Sequence, residues 1–463
     1  MIKTTDVVDK RSNLIYVVPQ SGEVKNLPEA HVDFVKHFQE SDQKEDFIKT
    51  GKQYIFFVKE QDELEKMRVA GYNIRQKLDK KEDKLTLIGQ GEASLALAEG
   101  FMLSNYQFLK YFKDKAEKAY ALKELKLCSD VEAARVSQLN HVIQAVYWAR
   151  DMVNEPVCYL TAEKLAEEMQ RLGQETNIKV TVFDKAKIEE LKMGGLLAVN
   201  RGSVLPPTFT VMEYKPENPV NKKPIVLVGK GLVFDTGGLS LKPTQGSMDS
   251  MKSDMGGAAC MIGAIYAAAL NKLDVHIISL IPSTDNRPGQ NAYTPGDIIT
   301  MFDGTTIEVM NTDAEGRMIL ADAIAYADKY DPEVIIDAAT LTGAALVVAG
   351  NQAACIMGNA EQKLMDQLIE SGAKTHERLV QLPFWDDYKE LLKSPVADMR
   401  NVGGRLAGTI TAGKFLEHFA KQPYVHLDIA GPAFYESEVN YKGIGGTGTG
   451  VRTLAHFFAN YKA

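Results

Sequence analysis

Pro224-Ile225-Val226-Leu227-Val228-Gly229-Lys230-Gly231-Leu232-Val233-Phe234-Asp235-Thr236-Gly237-Gly238 reads as a short apolar strand that empties into a glycine-rich loop carrying two ionisable groups. An apolar run of this length between turn signals has the form of a strand covered on both faces. Downstream the pattern repeats with helices between the runs: a helix over 256–270, a strand over 275–281, a strand over 307–310, a helix over 318–327, and strands over 334–338 and 425–429. That alternation predicts an α/β catalytic domain with a central mixed, largely parallel sheet and helices on both faces. The unusual residues stand just beyond the predicted strands: Lys230 and Asp235, then Asn311 to Arg317, Thr340 to Gly343, and Ala430-Gly431. Open α/β sheets bind their ligands at that edge.

Upstream, residues 1–125 mix apolar runs at 54–58 and 85–89 with helical stretches at 60–78 and 92–112, which predicts a small N-terminal α/β domain. The charged run 75–84 alternates in sign and reads as a solvated face. Ser129-x-x-Glu132 has the form of a capping box opening a long amphipathic helix through Ala149. The expected organisation is therefore an N-terminal domain at 1–125, a connecting helix at 126–152 and a catalytic domain at 153–463.

The chain has 463 residues, 45% of them hydrophobic and 25% charged, the balance of a packed globular protein. Its net charge of −8, from 53 basic and 61 acidic residues, argues against a nucleic-acid partner, which needs clustered Lys and Arg. Cys128, Cys158, Cys260 and Cys355 are far apart without C-x-x-C spacing, so they read as buried small hydrophobes of a reducing compartment. The N-terminus meets charge at once, so no secretory signal is expected, and the apolar stretch 255–270 is short for a membrane span and reads as a buried helix. A cytoplasmic protein is expected.

The chemistry concentrates in two segments. In Asp313-Ala314-Glu315-Gly316-Arg317 the charged residues are spaced by two, so an extended loop would turn both carboxylates and the guanidinium the same way. Carboxylates held that close favour a cation between them, although a bare D-x-E-x-R is more often a surface loop with a local salt bridge. Glycines surround Lys230 and Asp235, and a further glycine pair follows Lys252-Ser253-Asp254-Met255, a pattern that lets backbone approach a ligand closely. Three aspartates, a glutamate and a lysine form an oxygen-rich set suited to divalent ions. None of the eight histidines falls in an H-E-x-x-H pattern, and His426 reads as a satisfied strand histidine. Gly-Lys-Gly lacks the spacing of a phosphate-binding loop.

Asn311-Thr312-Asp313-Ala314-Glu315-Gly316-Arg317 resembles the signature of the cytosolic leucyl aminopeptidase family, peptidase family M17. Blocks at 150–156, 337–344, 397–404, 407–412 and 426–431 resemble family blocks in family order, so the resemblance covers about residues 150 to 455. It implies two divalent metals, Zn or Mn, bridged by Asp235 and Glu315, with Lys230 and Asp254 completing one site and Asp313 the other. It implies Lys242 as an electrophilic lysine and Arg317 as the holder of a bicarbonate general base. The family's pocket positions fall on Met251, Thr340, Leu341, Gly343, Ala430 and Ala433, an apolar set that suits Leu or Met at the first position of a peptide. A homohexamer acting on peptides with a free N-terminus is implied as well. The rival readings are a two-metal phosphate-ester hydrolase and a non-catalytic or DNA-binding regulatory role.

Overall fold

Strands β1 (Ile2–Thr4), β2 (Asn13–Val18), β3 (Glu45–Thr50), β4 (Gln53–Lys59), β5 (Leu85–Ile88) and β6 (Leu125–Cys128) form one sheet in the order β1-β6-β5-β2-β4-β3. They belong to a unit made of Met1–Tyr147 and Ser437–Ile444 in the computed structural model, which describes residues 1–51 and 53–462. Neighbours run parallel except β3 and β4. After β2 the chain winds through helix Val32–Glu40 to β4 on one side, then crosses through helix Leu64–Lys77 to β5 on the other side of β2. The winding direction thus reverses between β2 and β5. Leu14, Tyr16, Val18, Ile55, Phe57 and Ile88 interlock on one face with Phe38 of the first helix.

Two readings of this region need correction. Arg75 is not part of a solvated face: it is buried, lies 4.0 Å from the Tyr120 ring centroid and donates to Leu78 O. Its planar cation is stacked rather than hydrated, which sign alternation in the sequence cannot reveal. Ser129 does not cap the long helix, which runs Ala133–Asn154; its Oγ accepts from Val131 N at 3.2 Å instead. The two units divide within that helix, between Tyr147 and Trp148.

The second unit comprises Trp148–Glu436 and Gly445–Ala463. Its strands are β7 (Lys179–Phe183), β8 (Thr208–Tyr214), β9 (Ile225–Gly229), β10 (Gly231–Asp235), β11 (Ile277–Asn286), β12 (Ile298–Thr300), β13 (Thr306–Glu308), β14 (Val334–Ala339), β15 (Ala354–Gly358), β16 (Leu379–Gln381), β17 (Met399–Arg400) and β18 (Tyr424–Asp428). The main sheet is mixed, in the order β16-β15-β18-β14-β9-β11-β8-β7, with β10 pairing β11 beyond the end of β9. Its central neighbours β18, β14, β9 and β11 are parallel and buried along their whole length, which is why they read as unbroken apolar runs.

The strand expected at 307–310 is β13, and it lies outside the main sheet, paired with β12 and β17. Only its middle residue, Ile307, is buried, so it behaves as a half-exposed strand and not as one covered on both faces. Helix Glu315–Ala327 is buried at every residue and helix Gly256–Leu270 at all but its last. The stretch Met248–Leu270 is long and apolar enough to cross a membrane, yet 94% of its apolar 18-residue window is buried inside the fold. Of the cysteines, all free, Cys260 and Cys355 are buried as expected, Cys128 is half-buried and Cys158 is exposed.

Candidate metal centre

Lys230 stands at the break between β9 and β10. β9 hydrogen-bonds to β14 and β11, whereas β10 continues along β11 alone with a register shift between Leu232 and Phe234. Lys230 N donates to Ala338 O at 3.1 Å and its carbonyl accepts from Ala258 N at 2.9 Å, which pins the backbone on both sides. Its Nζ lies 2.8 Å from Asp254 Oδ1, 3.1 Å from Glu315 Oε1 and 3.1 Å from Thr340 O. Asp254 comes from the 3-10 run Met248–Met255 and Glu315 opens helix Glu315–Ala327, so three separate elements converge. Gly316 permits the convergence, because a Cβ there would sit 2.4 Å from Lys230 Cε.

Asp235 ends β10. Its Oδ1 accepts from Gly237 N at 2.7 Å and from Asn286 Nδ2 at 2.8 Å, and its Oδ2 lies 2.9 Å from Lys242 Nζ. Lys242 also pairs with Asp313, the one carboxylate of the group with appreciable exposure, at 31% of its side chain. Gly237 adopts φ +84°, and a Cβ there would meet Ser240 O at 2.4 Å, so the turn carrying this loop back to Asp313 requires glycine. Ligand atoms of Asp235, Asp313 and Glu315 lie within 4.8 Å of one another.

Burial and mutual repulsion set the protonation behaviour. Burial pushes the Asp254 carboxyl well above the usual carboxylate range despite Lys230 beside it. Asp313 is raised by burial and by Glu315. Burial opposes the charge on Lys230 and Lys242, but the surrounding carboxylates outweigh it and raise both. Ligation by Lys230 requires a neutral amine, so bound divalent charge would have to reverse that balance.

The residues fit divalent cations on their own evidence. Four carboxylates face two ammonium groups, and Asp254 Oδ2 and Glu315 Oε2 are buried with no hydrogen-bond partner. Buried carboxylate oxygens are costly unless a cation or donor meets them.

The structure corrects how the motif achieves this. Glu315, Gly316 and Arg317 are helical, not extended, so residues two apart do not share a face. Arg317 accordingly leaves the carboxylates and donates through Nη1 to Asn401 O at 2.7 Å, with its Nε buried and unpartnered. Burial lowers its pKa to about 10, against the pull of Glu315 and Asp428.

Among the expected pocket residues, Thr340 donates its hydroxyl to Asp254 Oδ1 at 2.7 Å and so also orients a carboxylate of the centre. Thr340 and Ala433 flank Gly256, where a Cβ would lie 3.2 Å from Thr340 Cγ2 and 3.4 Å from Ala433 Cβ. Met251 is half-buried on the same 3-10 run as Asp254, and Gly343 opens helix Gly343–Ala349. Leu341 packs against the main hydrophobic core, and its N–H and that of Ala430 both donate to Asp428 Oδ1, at 3.2 and 3.3 Å. These two are placed by Asp428 rather than by the carboxylate cluster.

Sequence reading missed the supports. Asn286 bridges Asp235 and Thr312 O, Tyr293 donates to Thr312 O at 2.9 Å, and the Asn401 side chain bonds Met310 N and Asn311 O. Asn286 ends β11 beside the end of β10, where it pairs in register with Asp235, a placement set by strand register and not by a local sequence signal. His426 is buried with Nδ1 2.8 Å from Asp337 Oδ1, while its Nε2 has no partner. Only one of its nitrogens is satisfied.

Residues 147–455 match the family model described as cytosol aminopeptidase family, catalytic domain. The chain belongs to the cytosol aminopeptidase family. It is by that membership a metal-dependent aminopeptidase, a hydrolase. A probable cytosol aminopeptidase of Chloroherpeton thalassium is 49% identical over 354 residues, 76% of this chain and 68% of the relative. One from Chlorobaculum parvum is 55% identical over 316 residues, 68% of this chain and 62% of the relative, so the matched region spans under two thirds of that protein. Among solved structures, the bottromycin maturation enzyme BotP in complex with Mn superposes with a TM-score of 0.85 at 28% identity, covering 97% of this chain and 99% of that one. A second structure of BotP gives 0.84 with the same identity and coverage.

Proposed function

We propose that this aminopeptidase removes an N-terminal apolar residue, Leu or Met, from peptides by a two-metal mechanism. Lys230, Asp235, Asp254, Asp313 and Glu315 would hold the two divalent ions, Zn or Mn. The observation that carries the reading is the convergence of these five side chains from separate elements, with buried carboxylate oxygens left unpaired. When bound, the metal pair supplies Lewis acidity at the scissile carbonyl and makes a water strongly nucleophilic at neutral pH.

The protein's own groups supply the rest. Lys242, the more exposed of the two lysines, directs an ammonium toward charge developing on the carbonyl oxygen, the kind of fixed positive group that lowers acyl-transfer barriers most. Arg317 is held by Asn401 O through one nitrogen and keeps Nε free for a small anion, for which bicarbonate acting as general base is the proposed occupant. Met251, Thr340, Leu341, Gly343, Ala430 and Ala433 are the proposed lining of the pocket for the first residue. Action in the cytoplasm as a homohexamer belongs to the same reading, and light scattering showing a monomer at working concentration would remove the hexamer.

Hydrolysis of leucine anilide by chelator-stripped protein, with Zn or Mn added back, tests the proposal directly. Activity should return with metal, and Asp313→Ala should lower it by more than about 100-fold, beyond the usual effect of losing a group that merely orients a ligand. Wild-type activity in the variant would refute the ligand assignment. Turnover of an aryl phosphate with none of the anilide would instead favour the phosphate-ester reading.

A further inference from the structure

The first unit carries a cavity that the peptidase chemistry does not use. It has a volume of about 190 Å³ and lies at the C-terminal ends of β2, β5 and β6, where the winding of the sheet reverses between β2 and β5. In open α/β sheets such a reversal opens a crevice because the flanking helices depart to opposite faces, and ligands occupy it. The floor is apolar, formed by Ile88 and half-buried Val24 of the same packed face, and Gly89 lets β5 close against β2, since a Cβ there would be 2.9 Å from Val17 Cβ. The rim is polar and of both signs: Glu23, Glu60 and Asp130 with Lys25. Among the described residues, the side chains of Glu23, Glu60 and Lys25 make no hydrogen bond or ion pair.

The chemistry of the rim selects the ligand. Helix Gly91–Ser104 starts at the cavity, but Gly91 N already donates to Asp130 Oδ1 at 2.8 Å and Glu92 occupies the first turn. A carboxylate therefore stands where a phosphate would bind, which argues against a nucleotide. Unpaired carboxylates suit a protonated amine, the single lysine suits one carboxylate, and the floor suits an aliphatic group.

We propose that this cavity binds a free α-amino acid with an apolar side chain. The amine meets Glu60 and Glu23, the carboxylate meets Lys25, and the side chain lies on Val24 and Ile88. In one respect the assignment rests on the aminopeptidase reading: the reaction releases such molecules, so the site would let the enzyme register its product.

Cys128 lines the cavity and reports on it, while exposed Cys158, in the other unit, serves as internal control. Alkylation of each thiol in the full-length protein is followed by mass spectrometry with leucine, 3-methylbutylamine, isovalerate or ADP present. Leucine at ten times its dissociation constant should slow Cys128 about tenfold and leave Cys158 unchanged. The double variant Lys25→Gln/Glu60→Gln should lose that protection while hydrolysing leucine anilide normally. No protection by leucine overturns the proposal, as does equal protection by 3-methylbutylamine, which gives Lys25 nothing to meet, or by isovalerate, which gives the carboxylates nothing to meet, or protection by ADP alone. Anilide hydrolysis is measured on the same samples, so loss of the aminopeptidase reading and loss of the cavity assignment are separate results.

Discussion

In the first unit the ends of β2, β5 and β6 open onto exposed Glu23, Lys25 and Glu60; in the second, the ends of β10, β11 and β14 open onto Asp235, Asn286 and Thr340. The sheet edge is the same kind of place in both, but the charges are treated differently. Around β10 they are buried and locked to one another at 2.8–3.1 Å, with oxygens left for a cation. At the rim near β2 they stand in water, where a charge costs little and an unoccupied site is cheap to maintain. Topology chooses where a site can be, and depth of burial decides whether it can do metal chemistry.

The effect that bears most directly on the buried centre is expected at Gly316. Gly316→Ala puts a methyl 2.4 Å from Lys230 Cε, so the lysine must move out of its place between Asp254 and Glu315. Metal affinity by titration calorimetry should fall by about 10- to 100-fold, as when a ligand's support is lost. Unchanged affinity would show that the close approach is not needed.

The largest free-energy effect is expected at the buried pair Asp337 and His426, both 0% exposed. Removing one partner, as in Asp337→Ala, should cost about 3–5 kcal/mol in urea unfolding, because the remaining group is left buried without its partner. A loss below about 1 kcal/mol would mean that burial does not confer the expected penalty in this unit.

A pH experiment tests the same point through Asp322, whose carboxyl is fully buried in helix Glu315–Ala327 and pushed up to about 7 by that burial, despite accepting from Leu196 N and Phe302 N. Its folded pKa exceeds its unfolded value, so between pH ~4 and ~7 the folded state binds more protons. Stability should therefore fall as pH rises through that window, with a contribution from this group of at most about 1.4 kcal/mol per pH unit. Asp322→Asn should flatten the fall.

The smallest effect belongs to the first rim. Glu23→Gln or Lys25→Gln should change unfolding free energy by no more than about 0.5 kcal/mol, since both side chains are exposed. A shift of several kcal/mol by thermal or urea unfolding would break the comparison.

Much of the second unit was legible in the chain. The strands near 224–229, 334–339 and 424–428 and both buried helices declare themselves because doubly covered elements are apolar throughout. The short strand β13 was expected near 307–310, but its place outside the main sheet was not legible, since three residues with one inward side chain do not reveal which sheet they join. The structure brings the five expected ligands together, but for a reason the spacing did not supply. Glu315 and Arg317 start a helix and diverge, and Asp313 reaches Asp235 through Lys242 and the turn at Gly237.

What the sequence determined by itself was the alternation of elements, the acidic balance and the set of chemistry-bearing residues, because these depend on residue type and local periodicity. What only the tertiary structure decided was partnership: that Asn286 braces Asp235, that Asn401 holds Arg317, and that Arg75 stacks on Tyr120. Those contacts join residues between 45 and 84 positions apart, and such separations are fixed by strand register and helix packing, which no local pattern encodes.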